Sequence, residues 1–335
     1  MKRILITGAG GSIGVHILFH IMTNTNWEIV VLDSFHHKGY KDRLNRIYKE
    51  HPEWISRIKE FQTDLTCSIS AELLKAIEKI NCIIHLAALS DVIFSIENPE
   101  YVIKNNVNST IVMLECARKI KPEQFIYFST DEIYGPVKKG EAHKEWDTHR
   151  PSNAYSASKA ASEDICYAYW RSYNVPLIIT NTMNNYSQMQ SPSKFPVIVQ
   201  KAVEQGKIVN IHGNEKEIGT RFYIHSRNTA DALLHIIKLG VYKHKIGEID
   251  EPYKYHIVGE VCLSNLELAQ KIASLMNKKL KYKLVDFHKN NLAHDIHYGL
   301  QDNKLKKSGW KQPKSFEESM KETILWQQEN KEWIA

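Results

Sequence analysis

The first half of the chain alternates short apolar, β-branched runs with longer amphipathic stretches, a rhythm that predicts parallel βαβ units. Strands are expected at 2–7, 27–32, 58–62, 82–86, 124–129 and 176–181, and helices at 12–23, 70–80, 99–120 and 153–173. Past residue 182 the rhythm loosens. Asn184-Asn185-Tyr186 and Ser191-Pro192-Ser193 read as loop, and Phe195–Gln205 reads as helix. Ile208–Ile211 reads as a strand meeting a turn at Gly213-Asn214, and helices follow at 226–239, 264–276 and 315–330. There is no internal repeat and no low-complexity linker. The pattern predicts an α/β fold, with a doubly wound parallel sheet over 1–182 and a smaller mixed α/β lobe over 183–335. The chain is expected to return to the first unit around 208–240.

The opening strand runs into Gly8-Ala9-Gly10-Gly11-Ser12-Ile13-Gly14 and then into a helix start. Glycines 8 and 11 let the backbone turn tightly and approach a pyrophosphate. Gly14 lets the helix lie close to the sheet, and the helix N-terminus favours the anion. The second strand ends on Asp33, where a carboxylate would accept hydrogen bonds from the adenosine ribose and repel a 2′-phosphate. The sheet is therefore expected to be of the Rossmann type, and the cofactor to be NAD rather than NADP. Asp64-Leu65 follows the third strand and would lie near the adenine, although Asp64 also suits a helix N-cap, and both can hold. His85-Leu86-Ala87-Ala88 ends the fourth strand with small side chains that let a cofactor lie close.

Composition narrows the class without naming it. The 335 residues are 43% hydrophobic and 24% charged, ordinary values for a globular protein. No apolar run approaches the roughly 20 residues that a membrane span needs, and Met1-Lys2-Arg3 runs straight into a strand, so neither a membrane anchor nor a signal peptide is expected. The five scattered cysteines lack a CxxC pair and read as reduced thiols of a cytoplasmic protein. The sixteen histidines show no metal-ligand spacing, and His36-His37 reads as surface loop, so no metal site is expected. The net charge of +6 is spread rather than clustered, with no nucleic-acid-binding module.

Two segments carry the chemistry: Ser129-Thr130-Asp131-Glu132-Ile133-Tyr134-Gly135 and Tyr155-Ser156-Ala157-Ser158-Lys159. On a helix, Tyr155 and Lys159 share a face. A lysine ammonium beside the phenol is expected to lower its pKa and make a base available near neutral pH. Thr130, at the end of the fifth strand, can bond the same reacting hydroxyl. Asp131 and Glu132 are more acid–base equipment than simple alcohol oxidation requires.

With these motifs in place, the chain resembles the extended short-chain dehydrogenase/reductase family. Within it, the nearest pattern is that of the nucleoside-diphosphate-hexose 4,6-dehydratases of the dTDP-glucose type. The resemblance runs through TGAGGSIG at 7–14, HLAALS at 85–90, STDEIYG at 129–135 and YSASKAASE at 155–163. It continues through TNTMNNY at 180–186, SKF at 193–195 and LKKSGWKQPKSFEESMKETILW at 305–326. It implies that Thr130, Asp131, Glu132, Tyr155 and Lys159 are catalytic. It further implies that Gly8, Gly11, Ser12, Ile13, Gly14, Asp33, Asp64, Leu65, Leu86, Ala87, Ala88, Asn105, Tyr155 and Lys159 hold a tightly bound NAD. Ser90, Thr130, Asn184, Lys194, Arg221, Arg227 and His294 would face a nucleoside-diphosphate sugar. A homodimer is implied too, through a four-helix bundle made by 99–120 and 153–173.

The implied chemistry gives both carboxylates work. Oxidation at C4 with Tyr155 as base acidifies the C5 hydrogen, Glu132 removes that hydrogen, and Asp131 protonates the departing C6 hydroxyl. Reduction at C6 then yields a 4-keto-6-deoxy sugar. This division requires Asp131 protonated and Glu132 ionised at one pH. A 4-epimerase or decarboxylase on the same scaffold is the alternative, but it leaves Asp131 idle; a catalytically silent NAD-binding protein is the alternative of another class. The chain departs from the resemblance where substrate is held. Gly219-Thr220-Arg221-Phe222 displaces an expected arginine by two residues, and Arg227 could supply the missing cation or be a surface charge at a helix entry. Asn291-Leu292-Ala293-His294-Asp295 lacks another expected arginine, and Ile93-Phe94-Ser95 makes the sugar end more apolar.

Overall fold

A computed structural model describes residues 1–37, 39–77, 79–240, 251–286 and 295–333. The first half alternates strictly: β1 (Arg3–Thr7), α1 (Gly14–Asn24), β2 (Glu28–Asp33), α2 (Tyr40–Glu50), β3 (Ile58–Gln62), α3 (Ala71–Ile77) and β4 (Cys82–His85). Two consecutive helices follow, α4 (Val92–Glu97) and α5 (Pro99–Ile120), then β5 (Gln124–Thr130), α6 (Ala154–Tyr173) and β6 (Leu177–Thr182). The second half holds β7 (Asn184–Tyr186), α7 (Phe195–Glu204), β8 (Ile208–His212), β9 (Thr220–His225), α8 (Ser226–Leu239) and β10 (Tyr253–Ile257). It closes with β11 (Val261–Ser264), α9 (Asn265–Leu275), β12 (Lys281–Val285), α10 (Asn303–Lys307) and α11 (Phe316–Glu329).

Seven strands form the main sheet in the order β10-β6-β5-β4-β1-β2-β3, every pair parallel. Its central strands are apolar on both faces, as a sheet covered on both sides must be. Ile4, Ile6, Val31, Ile84, Ile126 and Ile178 pack toward α1 and α8. Leu5, Leu32, Ile83, Phe125, Leu177 and Ile179 pack the other way, toward α5 and α6. Each fully buried side chain of this kind stabilises the fold by roughly 1.5–3 kcal/mol, so the register is held firmly and the strand ends are a rigid platform.

Helix ends follow local chemistry. Pro99 opens α5 and Lys121, with φ of 55°, closes it. Asn153 caps α6 by accepting from Ser156 N, while its own backbone N–H donates in return to the Ser156 hydroxyl. Ser264 and Ser315 form the same kind of box with Glu267 and Glu318.

After residue 182 the chain contributes both to the main sheet and to separate small sheets. β8 pairs with β12 in a separate two-stranded sheet, while α8 packs on α1 and β10 adds beside β6. Asn184–Tyr186, expected as loop, is a short strand parallel to β9, which pairs antiparallel with β11. A third cluster of buried residues, including Val199, Tyr223, Leu268 and Phe316, fills this smaller lobe. Among the described residues no helix is long and apolar enough to cross a membrane.

Candidate active site

β1 and β4 are neighbours, and the strand order reverses between them, which opens a crevice at the carboxyl ends of the strands. Thr7 ends β1. Its hydroxyl donates to His85 Nδ1 at 2.8 Å and accepts from Leu86 N and Ala87 N at 3.1 Å, tying the first turn to the end of β4. Gly8 has φ of +70°, and a Cβ there would meet the Ala87 backbone at 3.0 Å. A Cβ on Gly14 would lie 2.2 Å from the Gly8 carbonyl oxygen. No side chain caps α1 at Ile13, and Ser12, Ile13 and Gly14 line the crevice, so the start of α1 can receive an anion. Asp33 accepts from Gly10 N through Oδ2 and from Phe35 N through Oδ1, each at 2.9 Å. Burial raises its pKa while these two N–H groups oppose the shift. Asp64 lines the crevice but caps no helix: it accepts from Thr66 N and Thr66 Oγ1 within a turn, and α3 begins only at Ala71.

At the other end, β5 runs into a 3₁₀ turn, Asp131–Tyr134, closed by Gly135 with φ of +78°. Thr130 Oγ1 donates to Asp131 Oδ1 at 2.9 Å, while Asp131 Oδ2 is buried without a hydrogen-bond partner. Asn153, the cap of α6, also donates from Nδ2 to Glu132 Oε2 at 3.4 Å. The residue that starts the Tyr155–Lys159 helix therefore touches the second carboxyl. Lys159 donates from Nζ to Phe128 O at 2.7 Å, its ammonium 4.3 Å from the Tyr127 ring centre.

Burial pushes the Asp131 carboxyl up to about 6, against the Thr130 hydrogen bond and the Arg221 charge. Burial and the Asp131 charge push Glu132 up to about 7. This chain's own groups thus raise both carboxyls together, and the expected order, an acid Asp131 beside a base Glu132, is not set by them alone. The phenol departs further from expectation. Tyr155 is raised, first by burial and then by the Glu132 charge, with the Thr130 hydroxyl opposing. Lys159 donates to the Phe128 carbonyl, and burial lowers its own pKa to about 8.

One continuous cavity of about 570 Å³ joins the two ends. Gly8, Gly11, Ser12, Ile13, Gly14, Asp33, Asp64, Leu65, Leu86, Ala87, Ala88, Ser90 and Asn105 line it, together with Thr130, Asp131, Glu132, Tyr155, Lys159, Asn184 and Lys194. Arg221 and Arg227 do not line it. Arg221 donates to the carbonyls of Thr220, Asp295 and Ile296 and stacks on Tyr298. Arg227 bonds Glu322 and Ser319 of α11. Arg221 therefore braces the small lobe, Arg227 ties α8 to α11, and Arg221 reaches the carboxyls only as a charge. His294 lies outside the described residues. The structure adds His36 and His37, read from sequence as surface loop, and also Ser129 and Gln190. Position just after Asp33 was the one available signal for the histidines. Among the described residues no group of His, Cys, Asp and Glu could hold a metal ion.

A doubly wound sheet with a dinucleotide turn and a Thr–Tyr–Lys set at its strand ends defines an extended short-chain dehydrogenase/reductase. The chain belongs to the GDP-mannose 4,6 dehydratase family, whose model matches residues 5–323. It is 31% identical to the dTDP-glucose 4,6-dehydratase of Escherichia coli, covering 99% of this chain and 95% of that one. It is 30% identical to the dTDP-D-glucose 4,6-dehydratase of Bos taurus, over 98% and 89%. Among solved structures it resembles the dTDP-glucose 4,6-dehydratase DesIV of Streptomyces venezuelae, solved with NAD bound (TM-score 0.86, 25% identity, 99% and 98% of the chains). The dTDP-glucose 4,6-dehydratase of Bacillus anthracis in complex with NAD is similar as well (TM-score 0.82, 25% identity, 99% and 98%).

Proposed function

We propose that this chain is an NAD-dependent nucleoside-diphosphate-hexose 4,6-dehydratase, a cytoplasmic lyase of the dTDP-glucose type. One observation carries the reading: two consecutive carboxyls, Asp131 buried with an unpartnered oxygen and Glu132 half-buried, stand on the wall of the cavity that also holds Tyr155 and Lys159. The glycine cradle, the open start of α1 and the Asp33 carboxyl fit a dinucleotide, which Leu86, Ala87, Ala88, Asn105 and Lys159 on the same cavity wall would help to hold. NAD held there, and kept through turnover, supplies a hydride acceptor at C4 and the donor at C6.

Thr130 and Tyr155 bond the C4 hydroxyl, and Tyr155 takes its proton as that carbon is oxidised. The resulting ketone acidifies the hydrogen on C5, which Glu132 removes. Asp131 delivers a proton to the C6 hydroxyl, which leaves as water, and Glu132 returns its proton to C5 as C6 is reduced. Oxidation at C4 and reduction at C6 cancel, and the proton that Tyr155 gains makes good the one that Asp131 gives up, so the net change is loss of one water. Residues 1–182 with α8 and β10 form the cofactor unit. Much of the rest forms the sugar-nucleotide lobe, with Ser90, Asn184, Lys194 and Gln190 nearest the substrate. α5 and α6 pack tightly on each other and would pair with a second copy in a four-helix bundle; a monomer by light scattering removes that part.

The test is mass spectrometry of products in deuterated water, with dTDP-, UDP-, CDP- and GDP-hexoses, UDP-N-acetylglucosamine and UDP-glucuronate. Loss of one water with one deuterium gained at C5 is expected from one of them. Inversion at C4 with unchanged substrate mass, or loss of carbon dioxide, overturns the reading.

A further inference from the structure

α6 carries Tyr155, Lys159 and Glu163 at four-residue intervals, along one helix face. The chemistry above uses the first two and leaves Glu163 without a role. Glu163 is 2% exposed, and its Oε2 lies 2.7 Å from Nζ of Lys254, whose side chain has no exposed surface. His149 Nε2 stands 3.5 Å from the same oxygen. The other oxygen, Oε1, accepts from Asn181 Nδ2 at 2.6 Å, and that same amide nitrogen donates to Thr130 O at 3.1 Å. Both partners are acceptors, so the amide orientation is settled. Lys254 is on β10, Asn181 on β6 and Thr130 on β5, so the connection crosses three adjacent strands and ends at the root of the carboxylate turn. The ring of Tyr134, at the far end of that turn, lies 4.9 Å from the Lys254 ammonium.

Burying an ion pair is costly, and apolar replacements are often at least as stable, so stability alone is a weak reason for Glu163 and Lys254. We infer that Glu163 is a positioning residue for the acid–base pair: Lys254 and His149 fix its carboxylate, it fixes Asn181, and Asn181 fixes the Thr130 carbonyl. The Thr130–Glu132 turn is thereby held where its side chains meet the sugar. This inference rests on the dehydratase reading above.

Full-length variants assayed with NAD and dTDP-glucose test it, with UDP-glucose as second probe and melting temperature followed in parallel. Asn181→Ala is expected to lower kcat by ~10- to 100-fold, since about 1 Å of misplacement can cost that much, with KM within about twofold of wild type. The double variant Glu163→Gln/Lys254→Met keeps an acceptor for Asn181 and strands no charge, and it is expected to retain kcat within about threefold. Glu163→Leu/Lys254→Met removes the acceptor and is expected to lose as much as Asn181→Ala. Should Asn181→Ala not fold, the two double variants decide between them. Wild-type kcat in Asn181→Ala, or equal kcat in the two double variants, overturns the inference and leaves the dehydratase reading intact. A wild-type protein that dehydrates none of the sugar nucleotides of the panel above overturns both.

Discussion

Thr130 donates a 2.9 Å hydrogen bond to Asp131 Oδ1, so the hydroxyl that would meet the sugar's C4 oxygen and the carboxyl that would protonate its C6 oxygen form one unit. A donor to the ionised carboxylate lowers its pKa, and this bond opposes the burial that lifts Asp131 to about 6. Thr130→Val keeps the shape and removes the donor. It should lower kcat by ~10²-fold and leave Asp131 protonated to higher pH. The pH–rate profile measures the shift: the limb assigned to Asp131 should move to higher pH in the variant.

Glu132 poses the opposite question, because a base must be ionised. With its carboxyl raised to about 7 by burial and the Asp131 charge, activity should fall as pH drops below neutrality. The same shift has a sign for stability. A carboxyl whose folded pKa exceeds its unfolded value is neutral in both states at low pH, and it destabilises the fold as pH rises through the unfolded and then the folded value. Glu132→Gln removes that charge. It should abolish C5 hydrogen exchange, lowering the rate by ~10²–10⁴-fold, while gaining on the order of 2 kcal/mol at pH 8. Thermal melts at pH 5 and pH 8 check it: the variant should gain over wild type chiefly at pH 8. An unchanged melting difference between the two would show that Glu132 is not strained by burial.

Much of this architecture is legible in the sequence, and the illegible parts have particular causes. The helices expected at 99–120 and 226–239 are observed at those bounds, because each has a punctuated start and an uninterrupted apolar stripe. β7 is three residues, two of them asparagine, and shows neither period nor β-branching. β10 pairs with β6, more than seventy positions earlier, a partner no local pattern specifies. α2 was not expected either: Tyr40–Glu50 is charged over most of its surface and buries only Arg43, Leu44 and Ile47. In the site, the motifs pick out the candidate cofactor and catalytic residues that the cavity gathers. They could not show that Lys159 is spent on Phe128 O, that Arg221 is used inside the small lobe, or that Arg227 ties α8 to α11. A lysine in a strand likewise reads as exposed, yet Lys254 is buried because Glu163 meets it.

Among the described residues, Lys159 and Lys194 are the only lysine or arginine side chains on the cavity wall. Lys159 is already engaged, so Lys194 is the cation left for a diphosphate. Lys194→Met should raise KM for the sugar nucleotide ~10-fold or more, the loss of one charge-assisted contact, with kcat within about threefold. Added salt should weaken wild-type binding more than the variant's. Equal KM values would move recognition of the diphosphate elsewhere.

The first turn offers the sharpest test of the cofactor cradle, because two of its glycines differ in what a methyl group would strike. On Gly14 a Cβ would lie 2.2 Å from the Gly8 carbonyl oxygen and 2.8 Å from Ala9 Cα, both backbone atoms that cannot rotate away. On Gly11 the nearest atom would be the Gly8 carbonyl oxygen at 3.2 Å, a gap that a small adjustment can open. Gly14→Ala must therefore push α1 off the sheet or distort the turn, and overpacking of this kind typically costs about 1–3 kcal/mol. Since α1 and the turn together form the anion-receiving end, NAD affinity should fall with stability in Gly14→Ala and much less in Gly11→Ala. Melting curves with and without added NAD separate the two effects. The NAD-dependent rise should be lost in Gly14→Ala and largely kept in Gly11→Ala. A full rise in Gly14→Ala would mean that the dinucleotide does not rest on the start of α1.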